Sequence, residues 1–236
     1  MAGPVVAQLS KISTDPGGAT QTTPGITTSA SGSTFVVFAF SSNVDFVTGV
    51  SDNKGNTYTL VDAAGPGSNG EYCACYICPN GNGGAGHTAS STWSFRTTLG
   101  MFFIEVTGAA LSSVVDAHAI INDTSQPWVQ AVTTTGADKL ILSCCGSDAS
   151  GVATWAVSGG TFSLLDSTSG NTACGAVASM AAATTGTYTP SFTDASGAFR
   201  AVVSTIALNA ASGGGSSTPY PVANAQRNRR SSGRYL

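Results

Sequence analysis

Short apolar runs separated by clusters of Gly, Ser, Thr, Asn and Pro fill most of this chain. Residues 33–42, STFVVFAFSS, hold an unbroken apolar run at 35–40 and read as a strand buried on both faces or nearly so. In MFFIEV, Met101, Phe103 and Glu105 point one way and Phe102, Ile104 and Val106 the other. In EYCACYICP, Tyr72 and Tyr76 share one face, and Cys73, Cys75 and Ile77 share the opposite one. TASSTWSF, SSVVDAHAII, WVQAVTT, DKLILSCC, ATWAV, TFSLLD, CGAVASMAAA and FRAVVSTIALNA continue the series. Turn signals recur every 8–14 residues. That spacing predicts an all-β, antiparallel β-sandwich of jelly-roll type rather than βαβ units. ASMAAATT has the composition of a helical turn, but its neighbours argue for a strand.

The pattern divides the chain in three. Residues 1–32 are polar and interrupted by Pro4, Pro16 and Pro24, which suggests an extended N-terminal arm or an edge strand followed by loops. Residues 33–211 carry the sandwich. Residues 212–236 are a Gly/Ser linker followed by a basic tail of flexible composition. Within the sandwich, DFVTGVSDNKGNTYTLVDA reads as a hairpin. Val47 and Val50 lead in, residues 52–56 turn with Gly55 supplying a positive φ, and Tyr58, Leu60 and Val61 lead out.

Charge sharpens the division. Only 9% of the 236 residues are charged, against about a quarter in an ordinary globular protein. Residues 1–212 hold five Lys or Arg against all twelve acids, a balance of −7, whereas residues 213–236 hold four Arg and no acid. An acidic body disfavours nucleic acid as a partner. No apolar stretch approaches the ~20 residues of a membrane helix. The N-terminus lacks the basic start and apolar run of a signal peptide. Synthesis in a reducing cytoplasm is the expectation. The six cysteines, at 73, 75, 78, 144, 145 and 174, fit that compartment as small buried hydrophobes. Disulfides are a weaker reading, since Cys144 and Cys145 point to opposite faces. Zinc is weaker again, since the Cys75–Cys78 pair has no second pair to complete four ligands.

Candidate chemistry is sparse. His118 and Asp116 fall on one face of a period-2 strand, either as an acid/base pair or as a solvated pair, the second being favoured. His87 sits in a Gly-rich loop without a partner nearby in sequence. Glu71 and Glu105 are the only glutamates, and nothing places them as a glycosidase pair. There is no G-x-S-x-G elbow, P-loop or dinucleotide fingerprint. Asp52, Asn53 and Asn56 have oxygen atoms for calcium, but a hydrogen-bonded turn is the favoured reading. No catalytic residue, cofactor or metal is expected. If the cysteine face of 71–79 is core, Tyr72 and Tyr76 face solvent or a partner, as a subunit interface or a glycan platform.

The segments SDNKGNTYTLVD, YCACYICPNGNGGAGH and MFFIEVTGAA together resemble an all-β module of phage virion proteins and bacterial surface proteins. The matching positions are Asp52, Gly55, Asn56, Thr57, Tyr58 and Thr59, then Pro79 and Asn80, then Glu105 and Gly108. The resemblance covers about residues 33–210. It implies a non-enzymatic sandwich in a virion or surface assembly and transfers no catalytic residue. On that basis the expected role is a capsid decoration or cement-type protein in a virion, self-associating and bound to other virion proteins such as the major capsid protein. The alternative is a tail-fibre or surface adhesin that binds cell-surface glycan. The tail would act as the tether, through Arg227, Arg229, Arg230 and Arg234 with Tyr220 and Tyr235.

Overall fold

The computed structural model describes residues 3–14, 19–42, 45–65, 70–95, 98–148, 153–169, 173–198 and 200–211. They form strands and turns without helix. In the first half, chain order gives β1 (Val5–Thr14), β2 (Thr20–Thr22), β3 (Ser33–Ser41), β4 (Val47–Asp52), β5 (Thr59–Ala64), β6 (Tyr72–Gly81), β7 (Ala89–Trp93) and β8 (Leu99–Thr107). In the second it gives β9 (Val115–Asp123), β10 (Trp128–Val129), β11 (Val132–Thr133), β12 (Lys139–Ser147), β13 (Trp155–Ser158), β14 (Ser163–Thr168), β15 (Cys174–Ala182), β16 (Thr187–Tyr188), β17 (Ser191–Asp194) and β18 (Ala201–Asn209).

The two halves repeat one topology. The first has a five-stranded sheet β1-β8-β3-β6-β5 and a three-stranded sheet β2-β7-β4. The second has β9-β18-β12-β15-β14 and β10-β17-β13. β1 thus corresponds to β9, β3 to β12, β5 to β14, β6 to β15 and β8 to β18. The correspondence extends to irregularities. β1 breaks register at Ala7 and β9 at Asp116, opposite equivalent positions of β8 and β18. β5 breaks register at Val61 and β14 at Leu165, one residue before Asp62 and Asp166. In sequence the echo is clearest between Gly55–Asp62, GNTYTLVD, and Gly159–Asp166, GGTFSLLD.

The large sheets pack face to face across an approximate two-fold axis, β5 against β9 and β14 against β1. Between them lies a core of Val36, Phe38, Phe40, Cys73, Cys75, Phe102 and Ile104 from one half and Leu140, Leu142, Cys144, Val177, Val202 and Ile206 from the other. Each large sheet is also apolar on its outer face. Phe35, Val37, Ala39, Tyr72, Met101 and Phe103 are covered by Ala89 and Trp93 of the first small sheet. Ile141, Cys145, Ala176 and Val203 are covered by Trp128, Trp155 and Phe192 of the second. The result is four layers with three cores. It explains why 35–40, 140–142 and 144–145 are apolar at consecutive positions, since both faces of β3 and β12 are buried.

Three expectations change. In place of one sandwich over 33–211 there are two, stacked through their large sheets. The described part of 1–32 is not an arm, because β1 pairs with β8 along its length and β2 pairs with β7. The edge-strand alternative describes Val5–Thr14. The segment 47–64 turns at Gly55, whose φ is 75°, but is not a hairpin. β4 pairs with β7 in the small sheet and β5 with β6 in the large one, so the turn is a corner between layers. The helix-like composition of 178–185 gives way to β15, which is paired on both sides.

Candidate functional site

The corner at 52–58 holds the densest polar cluster. The Asp52 and His87 side chains have no exposed surface. Asp52 accepts hydrogen bonds from the backbone N–H of Lys54 (2.9 Å) and Asn56 (3.0 Å), the Asn56 amide (2.6 Å), the Tyr58 hydroxyl (2.9 Å) and His87 Nε2 (3.0 Å). Burial alone would raise the Asp52 carboxyl. The bonds from the Asn56 side chain, His87, the Asn56 backbone and Tyr58 outweigh it and bring the pKa to about 2. Burial, with the Asp52 carboxylate beside it, pushes the Tyr58 phenol upward. On its other side His87 Nδ1 meets Thr28 Oγ1 at 2.9 Å, and the ring stands edge-on to Phe35 and Phe103.

Thr28, His87 and Asp52 run in the order of a nucleophile, a base and its orienting acid. Two observations give the cluster a different role. The imidazole and carboxylate have no solvent-exposed surface. The position of Thr28 is also repeated where no histidine exists. Thr28 N–H donates to Gly84 O at 3.2 Å and Gly84 N–H to Thr28 Oγ1 at 3.0 Å, while Thr134 and Gly186 exchange the same two bonds at 2.9 and 3.1 Å. A clamp between two segments fixes the hydroxyl in both halves. In the first half, His87 extends that clamp to the corner. Asn53 bonds Gly86 O and Thr88 N, and Asn56 bonds both Asn82 N and Asn82 O. The turn reading of Asp52, Asn53 and Asn56 is the one observed. Sequence reasoning missed His87 because its partners lie 35 and 59 residues away.

Asp116 and His118 do not form a pair. The bulge at Asp116 breaks the period-2 alternation on which that reading rested. Asp116 instead accepts from Thr135 N (2.8 Å) and Thr135 Oγ1 and lies 3.5 Å from Lys139 Nζ. His118 Nδ1 reaches across the sandwich to Asp62 at 2.9 Å. At the opposite edge Lys11 bonds Asp166 at 2.5 Å. Asp62 and Asp166 are equivalent positions, so each stack edge is closed by an acid of one half and a basic side chain of the other. These pairs are solvent-accessible, and each contributes at most about 1 kcal/mol.

The tyrosine face is corrected as well. Parity is as expected, with Cys73 and Cys75 in the central core. Tyr72, however, is 5% exposed and packs edge-on against Trp93 at 6.2 Å, and Tyr76 is half-buried beside it. The small sheet covers this face, so Tyr72 and Tyr76 form the floor of a second core, not an open platform. Glu105 is buried and accepts from Ser29 N (2.8 Å) and Ser33 Oγ (2.6 Å). Glu71 is buried too, and burial raises its carboxyl. All six cysteines are buried, and none is joined in a disulfide. Arg227, Arg229, Arg230, Arg234, Tyr220 and Tyr235 lie outside the described residues.

Exposed aromatic surface collects elsewhere. Phe46 and Phe95 are 43% and 62% exposed, and they flank the junction where Phe46 and Ser94 exchange hydrogen bonds at one end of the first small sheet. Comparison with family models, curated proteins and solved structures found no match.

Proposed function

We propose that this chain is a non-enzymatic structural protein of a phage virion, a capsid decoration or cement-type subunit attached through its basic C-terminal segment. One observation carries the reading: residues 1–212 have a balance of −7, whereas residues 213–236 gather four arginines and no acid. A guanidinium forks onto a carboxylate with fixed geometry, which suits attachment to an acidic protein lattice such as a major capsid protein. Tyr220 and Tyr235 add apolar anchorage, because exposed ion pairs alone contribute little. The body supports the same reading. Its buried ionisable groups Asp52, His87 and Glu105 hold corners and turns together.

The test compares full-length protein with a 1–212 truncation added to particles lacking it. The truncation is expected to keep its circular dichroism and to lose its place on the particle. Exchange of the four arginines for serine is expected to weaken attachment and flatten its salt dependence. Full copy number without the tail would refute the tether.

A second reading, a tail-fibre or surface adhesin, is favoured by Phe46 and Phe95, whose rings offer a stacking surface for glycan. Loss of cell adsorption on Phe95→Ala, with particle incorporation intact, would select it over decoration.

A further inference from the structure

At the corner where β12 begins and β18 ends, three side chains with complementary chemistry converge. Lys139 and Asn209 are register partners on neighbouring strands. Lys139 Nζ lies against Asn209 Oδ1, and Asp116 Oδ1 is 3.5 Å from the same nitrogen. Lys139 and Asp116 expose only 11% and 4% of their side chains. The amide of Asn209 is oriented by a 2.7 Å bond from Nδ2 to Ser113 O, which turns its oxygen toward the lysine. Asp116 is oriented by Thr135, which donates to both carboxylate oxygens. Gly136 packs on Lys139, where a Cβ would come within 3.3 Å of Nζ. The bulge is what brings Asp116 here, since it alone in β9 has no register partner.

The duplicated fold does not require this trio. Ser33, Thr107 and Ala7 occupy the same register positions in the first half. Ser33 there donates to Glu105 and serves an ordinary turn. At these register positions, among the described residues, only the second half places an amine, a carboxamide and a carboxylate together.

We infer that Lys139 and Asn209 form an intramolecular isopeptide bond, with Asp116 as the proton-transferring catalytic residue. Asp116 takes a proton from the Lys139 ammonium. The freed Nζ lone pair attacks Cγ of Asn209, and the C–O π pair moves onto Oδ1. Asp116 returns its proton to Nδ2, the C–N bond breaks, and ammonia leaves as the carbonyl re-forms. The second proton of the Lys139 nitrogen departs with the ammonia as ammonium. Lysine ammonium and asparagine amide thus give a secondary amide and one ammonium ion, with no oxidant or cofactor. Packing favours the sequence because it holds the amine, the carboxamide and the carboxylate within reach of one another. A cleft of about 160 Å³, lined by Gly3, Pro4, Val5, Asp138, Lys139 and Ala182, opens the site to solvent and gives ammonia a way out. The bond would tie strand ends 70 residues apart.

The test is the intact mass of the purified full-length chain, with the initiator methionine accounted for. The expected mass is that of the sequence less one ammonia. Tryptic digestion should then yield no peptide ending at Lys139, and a branched species joining 97–200 to 201–227. Asp116→Asn and Lys139→Arg should both return the full sequence mass. A wild-type spectrum dominated by the full sequence mass, with separate peptides carrying Lys139 and Asn209, overturns the inference whatever the variants do. Ammonia loss that persists in Asp116→Asn overturns the role given to Asp116.

Discussion

Phe40 and Gly146 occupy equivalent positions in the two halves, and the Phe40 side chain fills the space in which a side chain at 146 would stand. A Cβ built on Gly146 would lie 2.6 Å from Phe40 Cβ and 3.1 Å from its Cγ. Gly100 and Gly175 crowd the same ring, where a Cβ would come within 2.3 and 2.6 Å. Near a two-fold axis two equal large residues would collide, so one half contributes a phenyl ring and the other a hydrogen. Gly146→Ala is therefore expected to destabilise the fold by about 2 kcal/mol, as overpacking of a dense core does. Urea unfolding checks it. Adding Phe40→Leu should not recover the loss, because leucine keeps the Cβ and Cγ that stand closest to position 146, and Phe40→Leu alone should also be destabilising.

Asp52 should make stability depend on pH in acid. Its carboxyl drops from the ordinary 3.8 to about 2 on folding. A depressed carboxyl stabilises the fold above its unfolded value and loses that contribution as pH falls through its folded value. The window is therefore about pH 4 down to about pH 2, and the contribution is about 2 kcal/mol. The stability difference between wild type and Asp52→Asn should be constant at neutral pH and shrink across that window. A constant difference down to pH 2 would show that the cage does not hold Asp52 as a carboxylate.

Asp45 should behave in the opposite sense. It is fully buried, its two oxygens find no hydrogen-bond partner among the described residues, and burial raises its carboxyl. Its ionised form opposes folding, so its contribution is favourable below the ordinary carboxyl range and is lost as pH rises. Asp45→Asn is expected to stabilise the protein at pH 7 and to have little effect at pH 3. Destabilisation at pH 7 would mean that the charge has a partner.

The thiols should be silent until the chain unfolds. Burial pushes Cys75, Cys144 and Cys145 well above the usual thiol range, and all six are enclosed. A maleimide or disulfide reagent should label the native protein negligibly and six sites after denaturation without reductant. Fewer sites in the denatured chain would indicate disulfides.

The strand inventory was legible because period-2 alternation and turn chemistry act locally. Met101 and Phe103 do face away from Phe102 and Ile104, and Gly55 does turn with a positive φ. Burial of the cysteines followed from their apolar, strand-like surroundings. Continuous apolarity in 35–40 also signalled two buried faces. What covers each face was not legible, since one outer core and the central core read alike along a single strand. Tyr72 therefore appeared free although Trp93 lies over it. The duplication was written in GNTYTLVD and GGTFSLLD, but eight short residues of ordinary strand composition do not announce a two-fold stack. Bulges hid the polar partners. One inserted residue at Asp116 sends it to Lys139 and Thr135 and leaves His118 to Asp62. Local sequence determined strands, turns and facing. Only the tertiary structure decided pairing, because hydrogen bonds such as His87 to Asp52 and Lys139 to Asn209 join residues 35 and 70 apart and depend on how whole sheets stack.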